Sequence, residues 1–153
     1  MKVKEGYCYH IKDEFFVKFD SQNLLINKED NGYRPHFYAI RDFENNEILW
    51  MIPISSRIKK YKKIMNDKFS KFKRCNTIVI GELAGRQRAF LIQNAFPIKE
   101  IYIDHIHILK GKEIYVHEEL GKKLRSYLKD VIDINKTGVK VFFTDVNEIL
   151  KKL

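Results

Sequence analysis

Two apolar runs rich in β-forming residues, His36–Arg41 and Ile48–Ile54, flank the polar stretch Asp42-Phe43-Glu44-Asn45-Asn46-Glu47. Two such runs joined by a short polar connection specify an antiparallel hairpin. A second strand pair, Asn76–Leu83 and Arg88–Phe96, folds around Ala84-Gly85-Arg86. Tyr7–Ile11 and Lys112–Val116 are shorter strand candidates. Ile98–Ile108 reads as one helical turn followed by a strand, and Thr137–Phe143 as strand-like or extended. The spacing of Leu120, Leu124, Tyr127, Leu128 and Val131 predicts an amphipathic helix over His117–Asp133. Lys12–Asp20 is a brief helix with Phe15, Phe16 and Phe19 on one side. Asp145-Val146-Asn147-Glu148 has the capping-box pattern that opens a last short helix. Gln22–Arg34, containing Glu29-Asp30-Asn31-Gly32, reads as a loop. No internal repeat or interdomain linker interrupts the chain. The expectation is one α+β domain over residues 1–153, an antiparallel sheet core with helices around it.

A chain of 153 residues is one domain's length, and 44% hydrophobic with 32% charged residues excludes wholesale disorder. Seven Gly and three Pro exclude collagen-like and low-complexity chains. No apolar run approaches the roughly 18 residues of a membrane span. Met1–Glu14 carries charges every few residues and no apolar h-region, so a cytoplasmic protein without membrane contact is expected. Cys8 and Cys75 lack metal-ligand spacing and read as reduced structural thiols.

The distribution of charge is more informative than its sum. The chain carries 29 Lys and Arg against 20 Asp and Glu, a net charge of +9. Nine of those cations (Arg57, Lys59, Lys60, Lys62, Lys63, Lys68, Lys71, Lys73, Arg74) lie between Arg57 and Arg74, with Asp67 as the one acid. The rest of the chain is nearly balanced. Ile58, Tyr61, Met65 and Phe72 recur at helical spacing in this segment, with Ile64 and Phe69 beside them. It reads as an amphipathic helix with an apolar stripe against the core and a cationic face outward. A Lys-rich face taken alone is a solvated surface. The one-sided sign argues further, because a merely soluble helix carries interspersed acids that relieve self-repulsion. A polyanion, above all nucleic acid, is the partner such a face suits.

The familiar chemical motifs are missing. There is no Gly-rich phosphate loop, no Cys/His set with zinc spacing and no GxSxG elbow. The acids are scattered, which does not support a two-metal nuclease. His105 and His107 stand two apart without a third ligand nearby in sequence, and read as a structural or surface pair. No metal and no cofactor are expected.

What remains is the surroundings of the first hairpin. Tyr33, Arg34 and His36 stand at the start of its first strand. Ser55, Ser56, Arg57 and Lys59 follow the end of its second. In an antiparallel pair these ends are neighbours, so the two groups should meet beside the N-terminus of the cationic helix. That helix end offers N–H groups and a positive dipole to a phosphate. Ser55 and Ser56 are natural N-caps. The same set suits metal-free RNA cleavage, in which the 2′-hydroxyl attacks the adjacent phosphate. His36 can move protons near neutral pH, Lys59 or Arg57 can stabilise the phosphorane, and the serines can orient oxygens. Tyr33 can stack a base or bond a phosphate. Arg34, Lys60, Lys62 and Lys63 are RNA-binding candidates, as are Arg86 and Arg88 at the second hairpin. A non-catalytic RNA- or DNA-binding regulator would use the same cationic helix.

The stretches Tyr33-Arg34-Pro35-His36-Phe37-Tyr38-Ala39-Ile40 and Trp50-Met51-Ile52-Pro53-Ile54-Ser55-Ser56, followed by a Lys-rich helix, resemble the toxins of type III toxin–antitoxin systems, the ToxN/AbiQ family, and within it the CptN branch. Gly138-Val139-Lys140-Val141-Phe142-Phe143-Thr144-Asp145-Val146 resembles that family's C-terminal segment. The resemblance implies a twisted antiparallel sheet, a partial barrel with surrounding helices, similar to MazF/Kid toxins. It implies a metal-independent endoribonuclease that leaves 2′,3′-cyclic phosphate and 5′-hydroxyl ends and acts in abortive infection or locus maintenance. It also implies a small pseudoknot repeat RNA as antitoxin, cut from its precursor by the toxin and held with it in a closed protein–RNA assembly. Carried over by motif, the catalytic candidates are Ser55, Ser56 and Lys59, with Tyr33 and His36 nearby. The family more often has Ser-Pro-Lys, whereas Ser56 is followed here by Arg57, Ile58 and then Lys59. Lys59 and Arg57 are therefore both candidates for the catalytic cation.

Overall fold

The computed structural model describes residues 2–19, 28–29, 32–33 and 37–153, and for 28–29 and 32–33 the backbone path only. The expected first hairpin forms the centre of a sheet: β4 (Phe37–Arg41) pairs antiparallel with β5 (Leu49–Ser55), from Phe37↔Pro53 to Arg41↔Leu49. β1 (Cys8–Ile11) lies beyond β4, and β9 (Ile103–Ile106) beyond β1. On the other side of β5, β8 (Phe96–Ile98) pairs with its first half and β7 (Arg86–Phe90) with its last two residues. β6 (Val79–Leu83) follows β7, giving the order β6-β7-β5-β4-β1-β9 with β8 off this path. Every ladder is antiparallel. The sheet ends at β6 and β9 and does not close into a barrel among the described residues.

Both faces of β4 and β5 are covered, which explains why they read as continuous apolar runs rather than alternating ones. Tyr38, Ile40, Trp50, Ile52 and Ile54 pack under α3 (Glu118–Lys136) with its buried Leu124, Leu128, Val131 and Ile132. Phe37, Ala39, Leu49 and Met51 point the other way, toward Phe15 and Phe16 of α1 (Asp13–Lys18), Phe19 beyond it, and Ile149 of α4 (Val146–Lys152). α2 (Ile58–Phe72) packs through Tyr61, Ile58, Ile64 and Met65 on Ile78, Ile80, Ala89 and Leu91. Among the described residues no helix is long and apolar enough to cross a membrane. Cys8 and Cys75 are free thiols, and burial pushes Cys8 up to about 12.

Several local expectations give way to tertiary contacts. The run Arg88–Phe96 is broken by a single 3-10 turn at Ile92–Asn94, and β7 starts earlier, at Arg86. The break lets β7 and β8 pair with successive parts of the same side of β5. The turn Ala84-Gly85 closes the β6–β7 hairpin with Leu83↔Arg86 in register, and both residues have positive φ, 52° and 81°. Thr137–Phe143 forms no strand: Thr137 is the helical C-cap of α3, Gly138 turns the chain at a φ of 93°, and the segment pairs in no ladder among the described residues. It is held instead by Phe142 stacked on Trp50 at 5.4 Å and by the Phe143 N–H donating to the Gln93 carbonyl at 2.7 Å. Asp145 stands at the N-cap of α4, yet its side chain makes no cap bond. Within the expected loop Gln22–Arg34, β2 (Lys28–Glu29) and β3 (Gly32–Tyr33) form a two-residue ladder. Short strands β10 (Ile108–Leu109) and β11 (Lys112–Glu113) make one more small hairpin.

Candidate functional site

The junction of β5 and α2 is built by hydrogen bonds from the strand end. The Pro53 carbonyl accepts the Leu91 N–H at 2.9 Å, tying the end of β5 to the segment that follows β7. Ser55 is 2% exposed and sits opposite Ala89, on the face that α2 covers. Its Oγ accepts the Arg57 N–H at 3.1 Å, and the Ser56 carbonyl accepts the Ile58 N–H at 2.9 Å. The serines therefore do not cap the helix. Arg57 occupies the N-cap position with no side-chain cap bond, and Ser55 closes the tight turn before it. Ser56, Arg57 and Lys59 are exposed.

The first turn of α2 holds no acid. Lys59 and Lys60 stand at the positive end of the helix dipole, which opposes them and favours an anion there. Lys60, Lys62 and Lys63 are exposed, and Lys62 Nζ donates to Gln87 Oε1 at 3.3 Å. Further along, the cationic face thins. Lys68 turns inward to Thr77, and Arg74 Nη2 lies 3.8 Å from Asp130 Oδ2. The apolar stripe ends early too: Phe69 and Phe72 are 59% and 68% exposed, because the surface under α2 stops at Ile78 and Cys75. A cavity of about 350 Å³ opens there, lined by Met65, Phe69, Ile78 and Tyr127 together with Lys73 and Arg74.

β7 brings two further candidates to the same sheet end. Ser55 pairs with Ala89, so Arg88 lies one step beyond, toward Ser56. Arg88 is half-buried and donates through Nη1 to the Gln87 carbonyl at 2.9 Å, and Arg86 is exposed. Gly81 faces Arg88 across the ladder. A Cβ on Gly81 would stand 2.5 Å from Leu120 of α3, so Arg88 shares the face that α3 covers. Arg34, His36 and the Tyr33 side chain lie outside the described residues, and the Tyr33 backbone belongs to β3.

One cluster was invisible as such in the sequence. His10 on β1 pairs directly with His105 on β9, and their rings stack at 4.3 Å with an interplanar angle of 16°. His107 joins them, with His10 Nε2 and His107 Nδ1 3.0 Å apart in a hydrogen bond. Exposed His105 and half-buried His107 thus gain a third member that lies 95 residues away from His105 in sequence. Burial first, then the neighbouring His105 and His107, push His10 down to about 4 against the pull of Asp104; burial and His105 also lower His107. The period-2 alternation that puts Tyr7, Tyr9 and Ile11 on one face is the only sequence signal that sets His10 on the other. Among the described residues, no group of three or more His, Cys, Asp or Glu is arranged to hold a metal ion. No protein-family model matches this sequence, and no curated protein matches it.

Proposed function

We propose that the protein is a metal-independent endoribonuclease, the toxin of a type III toxin–antitoxin system, whose fold is akin to that of MazF/Kid toxins. The observation that carries the reading is the β5–α2 junction. There an exposed serine and exposed Lys59 follow a strand end directly, at the head of a helix whose first turn holds cations and no acid. RNA phosphate is the anion that fits this end. The 2′-hydroxyl attacks the adjacent phosphorus, a 2′,3′-cyclic phosphate forms, and the 5′-oxygen leaves. Lys59 stabilises the charge that accumulates on the phosphoryl oxygens, with Arg57 alongside. Ser56 orients the phosphate. Ser55, buried and committed to the Arg57 N–H, holds the turn. Tyr33 and His36 complete the catalytic set in this reading, while Arg34, Lys60, Lys62, Lys63, Arg86 and Arg88 grip the flanking backbone. The partner is a small pseudoknot repeat RNA, bound in a closed protein–RNA assembly in the cytoplasm, and cellular or phage RNAs are the substrates.

The test is incubation of the purified protein with RNA in EDTA. Cleavage to 2′,3′-cyclic phosphate ends that disappears in Ser56→Ala and Lys59→Ala supports the reading. Intact RNA with retained, salt-sensitive binding instead makes the protein a non-catalytic nucleic-acid-binding regulator.

A further inference from the structure

We propose that the cavity between the C-terminal end of α2 and α3 is a base-binding subsite for single-stranded RNA, in which one unpaired nucleobase stacks on Phe69. The proposal rests on the RNA-binding part of the reading above and adds to it a site that no motif singled out.

Three segments build the cavity. α2 supplies Phe69, α3 supplies Tyr127, and the segment that joins α2 to β6 supplies Ile78. Ile78 and Met65 belong to the apolar cluster on which α2 packs, so one wall of the cavity continues the core. Its volume of about 350 Å³ stands at the low end of the roughly 300–1,000 Å³ of small-molecule clefts. That is room for one small planar group.

The lining carries what holds a single strand. Phe69 is 59% exposed and offers an aromatic face, and bases of any identity stack on such a face. Lys73, Arg74 and Lys123 bring positive charge, and no acid is among the described residues that line the cavity. The Lys123 ammonium lies over the Tyr127 ring, 5.6 Å from its centroid. Arg74 leans toward Asp130 at 3.8 Å, a loose and exposed pair that leaves the guanidinium able to meet a phosphate. Asn66 and Asn76 add side-chain amides, which both donate to and accept from a base edge. Lys73 and Arg74 also complement the negative end of the α2 dipole, and that accounts for the cations. It does not account for a phenylalanine ring held in water beside a cavity.

The subsite is in line with the head of the helix. Lys59, Lys62, Asn66 and Phe69 follow one another at intervals of three and four residues, so they run along one side of α2. From Lys59 to Phe69 that side measures about 15 Å at the α-helical rise. A stacked strand covers this distance with about four phosphates. A strand whose backbone lies against Lys59 and Lys62 therefore delivers a base to the cavity within a few nucleotides.

The experiment uses 2′-O-methyl oligouridylate and a blunt-ended 2′-O-methyl duplex, which lack the attacking hydroxyl and so report binding without cleavage. Cys75 lines the cavity as a half-buried free thiol, and buried Cys8 is the internal control. The single strand at about ten times its Kd is expected to slow alkylation of Cys75 by about 10-fold, and the duplex to leave the rate unchanged. Phe69→Ala is expected to weaken single-strand binding by about 10-fold or more with the same salt slope, and Phe69→Trp to restore it. Phe72→Ala, exposed but outside the lining, should bind like the wild type. Unchanged single-strand affinity in Phe69→Ala, or equal alkylation rates with single strand and duplex, overturns the subsite; cleavage of unmodified RNA in EDTA by the same protein then leaves the endoribonuclease reading intact. Self-association of the wild-type protein that Phe69→Ala abolishes, with RNA affinity retained, assigns the cavity to a second copy of the chain and overturns the subsite too. The expected binding pattern without any cleavage of unmodified RNA keeps the subsite and ends the endoribonuclease reading. Absence of RNA binding by the wild-type protein ends both.

Discussion

Lys68 Nζ donates to Thr77 Oγ1 at 2.7 Å and reaches Gln93 Oε1 at 3.4 Å, so a lysine in the middle of the most basic segment of the chain serves the fold rather than the surface. Thr77 and Gln93 are both buried, and without the ammonium their polar atoms would be left short of a partner. The cationic helix therefore has two kinds of lysine, and they can be separated by experiment.

Lys68→Ala is expected to lower stability by about 1–3 kcal/mol, the usual range for a hydrogen bond to a charged group. Lys62→Ala and Lys63→Ala are expected to change stability by less than about 0.5 kcal/mol. They should instead weaken RNA binding and flatten its salt dependence, by about one unit of slope for each phosphate that is no longer neutralised. Urea titrations and filter binding at several salt concentrations check both halves. Unchanged binding in the Lys62 and Lys63 variants would remove α2 as the docking face.

The two adjacent serines should part in the same way. Ser55→Ala loses the bond from the Arg57 N–H and is expected to cost about 1 kcal/mol of stability. Ser56→Ala is expected to stay within about 0.5 kcal/mol of the wild type, yet to lose RNA cleavage in EDTA. Denaturant midpoints read alongside cleavage rates decide the matter. A Ser56→Ala protein with full activity would transfer the orienting role elsewhere.

Acid should destabilise the protein in two windows. For His10, the folded state holds the imidazole at about 4 against an ordinary 6.5, chiefly through burial. The unfolded chain then binds the proton more readily, and stability falls as pH drops from 6.5 toward 4. Asp42 acts lower. Burial alone would raise it, but the Trp50 indole N–H at 2.7 Å and the Asn45 and Glu44 N–H groups more than offset that and hold it below its ordinary 3.8. Its contribution is present above 3.8 and is lost as pH falls further. Unfolding midpoints measured from pH 7 to 3 should show both losses, the first reduced in His10→Asn and the second in Asp42→Asn. Equal slopes in wild type and His10→Asn between pH 6.5 and 4 would refute the first assignment.

Ala84 occupies the first central position of a two-residue hairpin turn at a φ of 52°, a conformation that costs an alanine and suits asparagine. Ala84→Asn is expected to raise stability by about 0.5–1 kcal/mol and to leave RNA binding unchanged. Thermal unfolding tests it, and a lowered melting temperature would contradict the turn geometry.

Local chemistry made much of the fold legible. The β4–β5 hairpin, α3 and the aromatic face of α1 follow from the period of their apolar residues and from the polar connections between them, signals that act over a few residues. The cationic character of α2 was equally plain, whereas the N-cap role expected of Ser55 and Ser56 passed to Arg57. The separate roles of the two serines were not plain: Ser55 is buried and bonded to Arg57, while Ser56 faces solvent, because the strand alternation and the α2 packing separate neighbours that look equivalent in one dimension.

Pairing and coverage decided the rest. The run Arg88–Phe96 did not become one strand, because the turn at Ile92–Asn94 separates β7, which pairs with the end of β5, from β8, which begins at Phe96 and pairs with its start. Thr137–Phe143 pairs with no strand and is pinned by Phe142 on Trp50 instead. Phe69 and Phe72 continue the helical stripe of α2 but stay exposed, because the surface beneath them ends. His10 meets His105 and His107 only when β1 closes against β9, a contact between distant segments. The amino-acid order by itself determined the β4–β5 hairpin, α2 and α3 and which of their faces are apolar, since those depend on residues within one or two turns. Which strands adjoin, and so which side chains from distant segments meet, was decided only by the tertiary structure, because it depends on long-range closure and on what each face finds to bury against.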